Sequence, residues 1–302
     1  MQKKNKIDIL HLHLLKSILI GTIVSFFGTW KVIVHEHGTI VPSPFLSNMD
    51  GFKRWLYVMF LRTFKNRINS FVAVSEGIRK ALINRAYIPL SKIEMIYNCI
   101  NLKEYDREFD RRKVRAEIGI GDGEIVLGFL GRLVEQKGCR YLIEAIKNIS
   151  KVNRSIVILV IGDGKLRQSL MEMSSNLNNN RRAIFLGFQK DIKKLLVAFD
   201  IAIIPSIYEG FPIVPLQFMA LKIPIIASNV DGLSELIKHK SNGFLVRRGS
   251  AKELSNVIEK LIVDEKIREN LTINGYGTVQ KFDLYKAIPH FRSLYLELLS
   301  NY

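Results

Sequence analysis

In the segment GRLVEQKG, residues 131–138, an arginine and a lysine stand five positions apart. The apolar run IVLGFL precedes this segment and a helical pattern follows it, so the loop turns a strand into a helix. Across such a turn Arg132 offers a planar fork and Lys137 a point charge, and the two can approach a diphosphate from two sides. Gly131 and Gly138 permit tight backbone geometry at the mouth. Taken alone, these residues also fit a solvated basic loop. A second loop, SIYEGFP (206–212), follows another buried strand and opens a helix. Backbone N–H groups at that helix start favour an anion. The carboxylate of Glu209 is a poor phosphate ligand there but a good acceptor for sugar hydroxyls; ordinary compensation of the helix dipole is its plainer role. Gly162 and Gly164 in VIGDGKLRQSL (160–170) form a weaker glycine turn, and Gly232 and Glu235 in ASNVDGLSELI (227–237) read as the wall of a cleft.

The elements that must hold these loops are legible as short β-branched runs. KVIVHEH (31–37), FVAVS (71–75), IEMIYN (93–98), IVLGFLG (125–131), IVILVIG (156–162), IAIIPS (201–206) and IPIIAS (223–228) have the length and apolarity of strands buried on both faces. Helical patterns such as 138–149 and 215–223 separate them. Strand alternating with helix predicts an α/β fold of parallel sheets with helices on both faces. In such sheets ligands sit at the carboxyl ends of the strands, where the loops above lie. The polar stretch 105–124 predicts a domain boundary near residue 110. From 276 to 302 the pattern predicts a C-terminal helix carrying Phe282, Tyr285, Phe291 and Tyr295.

Composition narrows the function classes. Of 302 residues, 48% are hydrophobic and 24% charged, which excludes a disordered or fibrous chain. Cys99 and Cys139 are too few to staple it, and no zinc-type cysteine or histidine spacing is present. A reducing compartment and no structural metal follow. The net charge of +17 divides into +7 over residues 1–110 and +10 beyond, so it is no basic tail. A dispersed positive surface suits anionic lipid headgroups, phosphorylated small molecules or nucleic acid. No nucleic-acid motif accompanies it, which argues against the last. Near the N-terminus the uncharged run Ser17–Trp30 is 14 residues, short of the roughly 20 that cross a bilayer. A strand Ile7–His11, an apolar helix and a strand Lys31–His35 are expected there instead, with Gly21, Ser25 and Gly28 letting the helix lie close to the sheet.

In order and spacing these stretches resemble the retaining glycosyltransferases of family 4, over about Ile7 to Arg248 and most strongly in GRLVEQKG, VIGDGKL, AIFLGF, SIYEGFP and SNGFLV. The resemblance implies the GT-B fold, two Rossmann-like domains facing a cleft: a partial acceptor-side domain over 1–110, a nucleotide-sugar-binding domain over 111–275, and the helix 276–302. It implies that Arg132 and Lys137 hold the donor diphosphate with the amides of Gly210, Phe211 and Pro212. Glu209 would accept from donor sugar hydroxyls, while Gly187 and Phe188 border the base. The family's ribose-binding glutamate is replaced here by Gln217, whose amide still bonds hydroxyls but without charge. DILHLH (8–13) matches the family's D-[IV]-[IV]-H-x-H, whose second histidine, His13 here, faces the donor sugar. A histidine packed at a strand end is its plainer role, and His35 and His37 in HEHG read as loop-structural. VAVSEGIRKAL (72–82) matches a strand and helix of the N-domain. IYNCINLKEY (96–105) matches the family linker N-G-I-D with Cys99 and Asn101 in place of Gly and Asp.

The implied activity is transfer of sugar to a lipid-linked saccharide acceptor in surface-polysaccharide assembly, at the anionic inner face of the plasma membrane. Cations and amides would neutralise the departing diphosphate, so no metal or other cofactor is expected. The resemblance begins at the family's fourth N-domain strand. The expectation is therefore a truncated or frameshifted enzyme, a misassigned start, or a subunit that a partner chain completes, with IDILHL as an exposed apolar edge. A weak nucleotide-binding protein descended from such an enzyme is the alternative.

Overall fold

Valine and isoleucine runs that can be dry on both faces become the strands of two parallel sheets. The computed structural model describes residues 7–38, 40, 48–106, 108–150, 152, 154–177 and 180–300. By its internal contacts the chain divides into two units, 1–98 with 284–302, and 99–283. The division falls between 98 and 99 rather than near 110, and the last helix belongs to the first unit.

In the first unit four strands pair in sequence order, all parallel: β1 (Ile9–His13), β2 (Lys31–Glu36), β3 (Ser70–Ala73) and β4 (Ile93–Met95). The helices are α1 (Leu14–Val24), α2 (Asn48–Phe64), α3 (Glu76–Ala86) and, from the end of the chain, α12 (Leu284–Ser300). Val32, Ile33 and Val34 are fully buried, as are Phe71 and Val72. Ser75 starts α3 by accepting from the backbone N–H of Ile78 at 3.2 Å, a cap worth about 1 kcal/mol. β1 begins two residues later than expected, so both His11 and His13 are strand residues, and His13 pairs with His35 across the ladder. The chain then turns sharply into α1 with Leu14 in the left-handed region, φ +64°.

Gly21 of α1 meets Leu12 of β1: a Cβ there would stand 2.3 Å from Leu12 Cδ2, so glycine sets the close approach of helix to strand. Among the described residues β1 pairs with β2 alone and forms the sheet edge. Beside it Leu14, Ile20, Ile23, Phe26 and Phe27 are exposed. Among the described residues no helix is long and apolar enough to cross a membrane.

The second unit holds β5 (Ile125–Leu130), β6 (Ile156–Ile161), β7 (Arg181–Gly187), β8 (Ile201–Ile204), β9 (Ile225–Ser228) and β10 (Phe244–Val246) in the order β10-β9-β8-β5-β6-β7. Counting from β5 as one, this is the doubly wound order 3-2-1-4-5-6, and the topological switch lies between β5 and β8. Its helices are α4 (Arg111–Glu117), α5 (Cys139–Asn148), α6 (Arg167–Ser175), α7 (Lys193–Leu196), α8 (Val214–Ala220), α9 (Asp231–Leu236), α10 (Ala251–Val263) and α11 (Glu265–Val279). Strands β7 and β10 were not among the expected runs. β7 opens with Arg181 and Arg182, which suits an edge: Arg181 donates to the carbonyls of Ile146 and Ile149, and Arg182 pairs with Glu124 at 2.7 Å.

The polar segment 105–124 is also more than a linker. Asp110 caps α4, and Arg115 in that helix is buried, donating to Ala198 O at 2.7 Å and to Asp200 Oδ2 at 2.7 Å. Asp200 in turn accepts from the N–H of Val126 at 2.7 Å, which ties α4 to both strands at the switch.

Glycine in the middle of β5 is a packing requirement. A Cβ on Gly128 would lie 1.8 Å from Cδ2 of the buried Phe199, whose ring in turn lies 5.7 Å from that of Phe218. Gly128→Ala should therefore destabilise the chain by about 2–3 kcal/mol, seen as a lower urea midpoint at unchanged m-value. A midpoint equal to that of the unchanged chain would show that Phe199 yields freely.

Candidate active site

Because β5 lies between β6 and β8, the loops leaving the carboxyl ends of these strands are forced side by side. The loop after β5 is joined to that after β6 by the N–H of Leu133 on Asp163 O at 2.8 Å and of Leu166 on Leu133 O at 3.0 Å. It is joined to the loop after β8 by the N–H of Ile207 on Gln136 O at 2.8 Å and by Gln136 Nε2 on Tyr208 O at 3.2 Å. Such contact needs bare backbone. Gly138 has φ +64°, and a Cβ there would stand 2.0 Å from Pro205 O. At the next loop, a Cβ on Gly232 would stand 2.0 Å from Gly210 O. Gly138 thus does more than ease a turn, since any side chain would drive the β5 and β8 loops apart.

This lacing brings Lys137 and Glu209 together. Lys137 Nζ lies 2.7 Å from Glu209 Oε1, and Ser206 Oγ donates to the same oxygen at 2.7 Å. Glu209 is 7% exposed and Ser206 1%, so a carboxylate is held out of water by an ammonium and a hydroxyl. A charge so placed is stable because it is paired and hydrogen-bonded, and it is preorganised for the same reason. Both donors end on Oε1, which leaves Oε2 to accept from a ligand hydroxyl. Arg132 is exposed at the rim, its Nη2 3.5 Å from Gln136 Oε1.

Other expected residues take different places. Gly210 and Phe211 follow Glu209, with Phe211 buried 5.4 Å from the ring of Phe282. Pro212 has no N–H, so it supplies no donor to an anion. Helix α8 begins at Val214, a residue and more beyond the loop. Gln217, on α8, donates from Nε2 to the hydroxyl of Tyr105 at 3.0 Å, and Lys193 Nζ lies 5.3 Å from the centre of the Tyr105 ring. Gly187 ends β7 in the left-handed region, φ +69°, next to Asp163 and Arg167, and Phe188 is 74% exposed. Gln136, Asp163, Ser206 and Arg167 were not singled out from the sequence. Arg167 carries the clearest signal, since its Nε is buried without a partner.

His13 lies in the first unit, within a group that neither of its segments discloses. The pairing of β1 with β2 sets His11 and His13 against His35, with His37 just past the strand end. His11 Nδ1 meets Tyr295 Oη at 2.7 Å, and His13 Nδ1 meets His37 Nε2 at 3.0 Å. The rings stack, with centroids 4.5 Å apart for His11 and His13 and 4.3 Å for His35 and His37. Burial, then repulsion from neighbouring imidazoles, holds His11 down to about 4 and His35 down to about 2. Burial lowers His13 as well. All are therefore neutral at neutral pH. His35 is a buried strand residue rather than a loop residue, and both its ring nitrogens lack partners.

Comparison with known proteins gives the arrangement its family. Residues 110–278 match the family model described as glycosyl transferases group 1, and residues 1–104 match that of glycosyltransferase family 4. The chain is 27% identical over 305 residues to the UDP-Gal:alpha-D-GlcNAc-diphosphoundecaprenol alpha-1,3-galactosyltransferase of Escherichia coli, covering 99% of this chain and 78% of that protein. To the capsular polysaccharide biosynthesis glycosyltransferase CapM of Staphylococcus aureus it is 26% identical over 292 residues, covering 95% and 76%. Its fold matches that of Anabaena HepE in complex with UDP-glucose with a TM-score of 0.86, over 96% of this chain and 79% of that one, at 24% identity. With α/β sheets of this order, a basic loop after β5 and an acidic one after β8, the chain belongs to the glycosyl transferases group 1 and is a glycosyltransferase of the GT-B fold.

Proposed function

We propose that the protein transfers a hexose, with retention at the anomeric carbon, from a uridine diphosphate sugar to a lipid-linked saccharide in cell-surface polysaccharide assembly. The observation that carries this is the 2.7 Å contact of Lys137 with Glu209 at the carboxyl ends of a doubly wound sheet. An ammonium and a carboxylate side by side match the two halves of such a donor. Lys137 and Arg132 face the diphosphate and, as the bond from C1 to the leaving oxygen stretches, neutralise the charge that gathers there. Glu209 accepts from sugar hydroxyls through Oε2 and fixes the orientation of C1. The amides of Gly210 and Phe211 support the phosphate, and Gly187 and Phe188, with Arg167 and Gln217, take the nucleoside.

His13 serves the donor sugar, as a hydrogen-bond partner or as a group that stabilises charge when the leaving group departs. The choice of donor follows the galactosyltransferase of E. coli and HepE, whose names or complexes carry UDP-sugars, and the acceptor follows the undecaprenol-linked substrate of the former. The exposed Phe27, Phe52 and Trp55 and the net charge of +17 support work at the anionic cytoplasmic face of a membrane.

Transfer kinetics test these roles. Glu209→Gln should lower kcat by about 100- to 1,000-fold with little change in donor KM. Arg132→Ala should raise donor KM by about tenfold, the loss of one charge-assisted hydrogen bond. Glu209→Gln at full kcat would remove the carboxylate from the mechanism. Since side-chain cations face the leaving group, transfer by protein exhaustively treated with EDTA should equal that of untreated protein. Activity that vanishes on chelation and returns with Mg2+ would contradict this.

A further inference from the structure

The histidine group of the first unit has a chemistry that sugar transfer does not use. Three imidazoles stand on one face of the β1–β2 ladder with His37 just beyond it, and one nitrogen from each of His11, His13 and His35 lies within 4.8 Å of the other two. Three-imidazole coordination of a tetrahedral ion needs nitrogens about 3.3 Å apart, with metal–nitrogen bonds of about 2.0–2.1 Å.

Two further observations point to a ligand rather than to packing. His35 is 6% exposed and both its nitrogens are unpartnered, as is the buried Nε2 of His11. Buried imidazole nitrogens without partners are costly, and an ion here would satisfy one on His11 and one on His35. In addition, Tyr295 from α12 holds Nδ1 of His11 at 2.7 Å. When that nitrogen carries the proton and donates to the tyrosine oxygen, Nε2 presents its lone pair inward, the arrangement by which outer groups orient metal-bound histidines. The contact of His13 Nδ1 with His37 leaves His13 Nε2 as its ligand atom. Neutral imidazoles are the form that binds metal.

We infer that His11, His13 and His35 form a binding site for a borderline divalent transition ion, Zn2+ foremost, with Tyr295 as the positioning residue for His11. All-nitrogen ligation disfavours Mg2+ and Ca2+, which prefer oxygen, and suits Zn2+, Ni2+ and Cu2+. An ion there would bind β1, the edge strand, to β2. It would also take the lone pair of His13. The inference stands on the first unit alone and does not depend on the proposed sugar transfer.

The test is a titration of the full-length, tag-free chain with Co2+, followed by its visible d–d absorption and then by displacement with Zn2+. One equivalent of tetrahedral Co2+, displaced by one of Zn2+, is expected. His13→Ala, at an exposed position, and His35→Gln should each weaken binding by about 100-fold or more, and Tyr295→Phe by about tenfold. His290→Asn, outside the group, should bind as the unchanged chain does. Thermal melts establish that each variant is folded, and the exposed His13 and the Tyr295 hydroxyl keep the test decisive if His35→Gln does not fold. Octahedral or non-saturating Co2+ binding would overturn the site. So would stoichiometric binding that His13→Ala and Tyr295→Phe leave unchanged.

Discussion

A carboxylate that is almost dry has to be paired, and the pairing of Glu209 with Lys137 is the constraint from which the geometry of the second unit follows. Removing either partner would leave a buried charge uncompensated, at a cost of about 3–5 kcal/mol. The pair forms only if the loops after β5 and β8 touch, and they touch only because β5 and β8 are neighbours at the topological switch. Sheet order, the bare backbone at Gly138 and Gly232, and the backbone bonds around Gln136 serve the same approach. An ion pair of this kind is also poised for a ligand. Lysine retains donors for phosphate and the carboxylate retains an oxygen for a hydroxyl, without the reorganisation that water would demand.

The first unit handles charge in the opposite way. Its strands β1 and β2 stack imidazoles that burial and mutual repulsion keep neutral. Among the described residues, His11 bonds to Tyr295 and His13 to His37. Glu36, the next residue after His35, points to the other face of the sheet, where it accepts from Tyr57 at 2.6 Å and from the N–H of Gly38 at 2.9 Å. Alternation along one strand thus separates a satisfied buried acid from an unsatisfied group of bases.

Much of this was legible in the sequence because burial on both faces leaves so plain a mark. Runs such as IVILVI and IVLGFL could hardly be anything but central strands, and the basic and acidic loops followed them at the ends where ligands bind. Other features left no local signal. β7 was hidden by its two leading arginines, which are the ordinary equipment of an edge. Arg115 looked like one cation among many in a charged stretch, although its guanidinium is buried on Ala198 O and Asp200. Tyr295 and His11 are 284 positions apart, and the two H-x-H segments carry no metal spacing until the ladder sets them side by side. Pro212 was a failure of chemistry rather than of signal, because a residue without an N–H was counted among the amides.

The claim on which the account rests is that Lys137 grips the diphosphate of the donor. It is tested most directly by the ratio of affinities for UDP and uridine, measured calorimetrically for the unchanged chain and for Lys137→Met. The account predicts that UDP loses about tenfold or more while uridine binds as before, so the ratio collapses toward that of the nucleoside alone. A ratio that Lys137→Met leaves unchanged would contradict it.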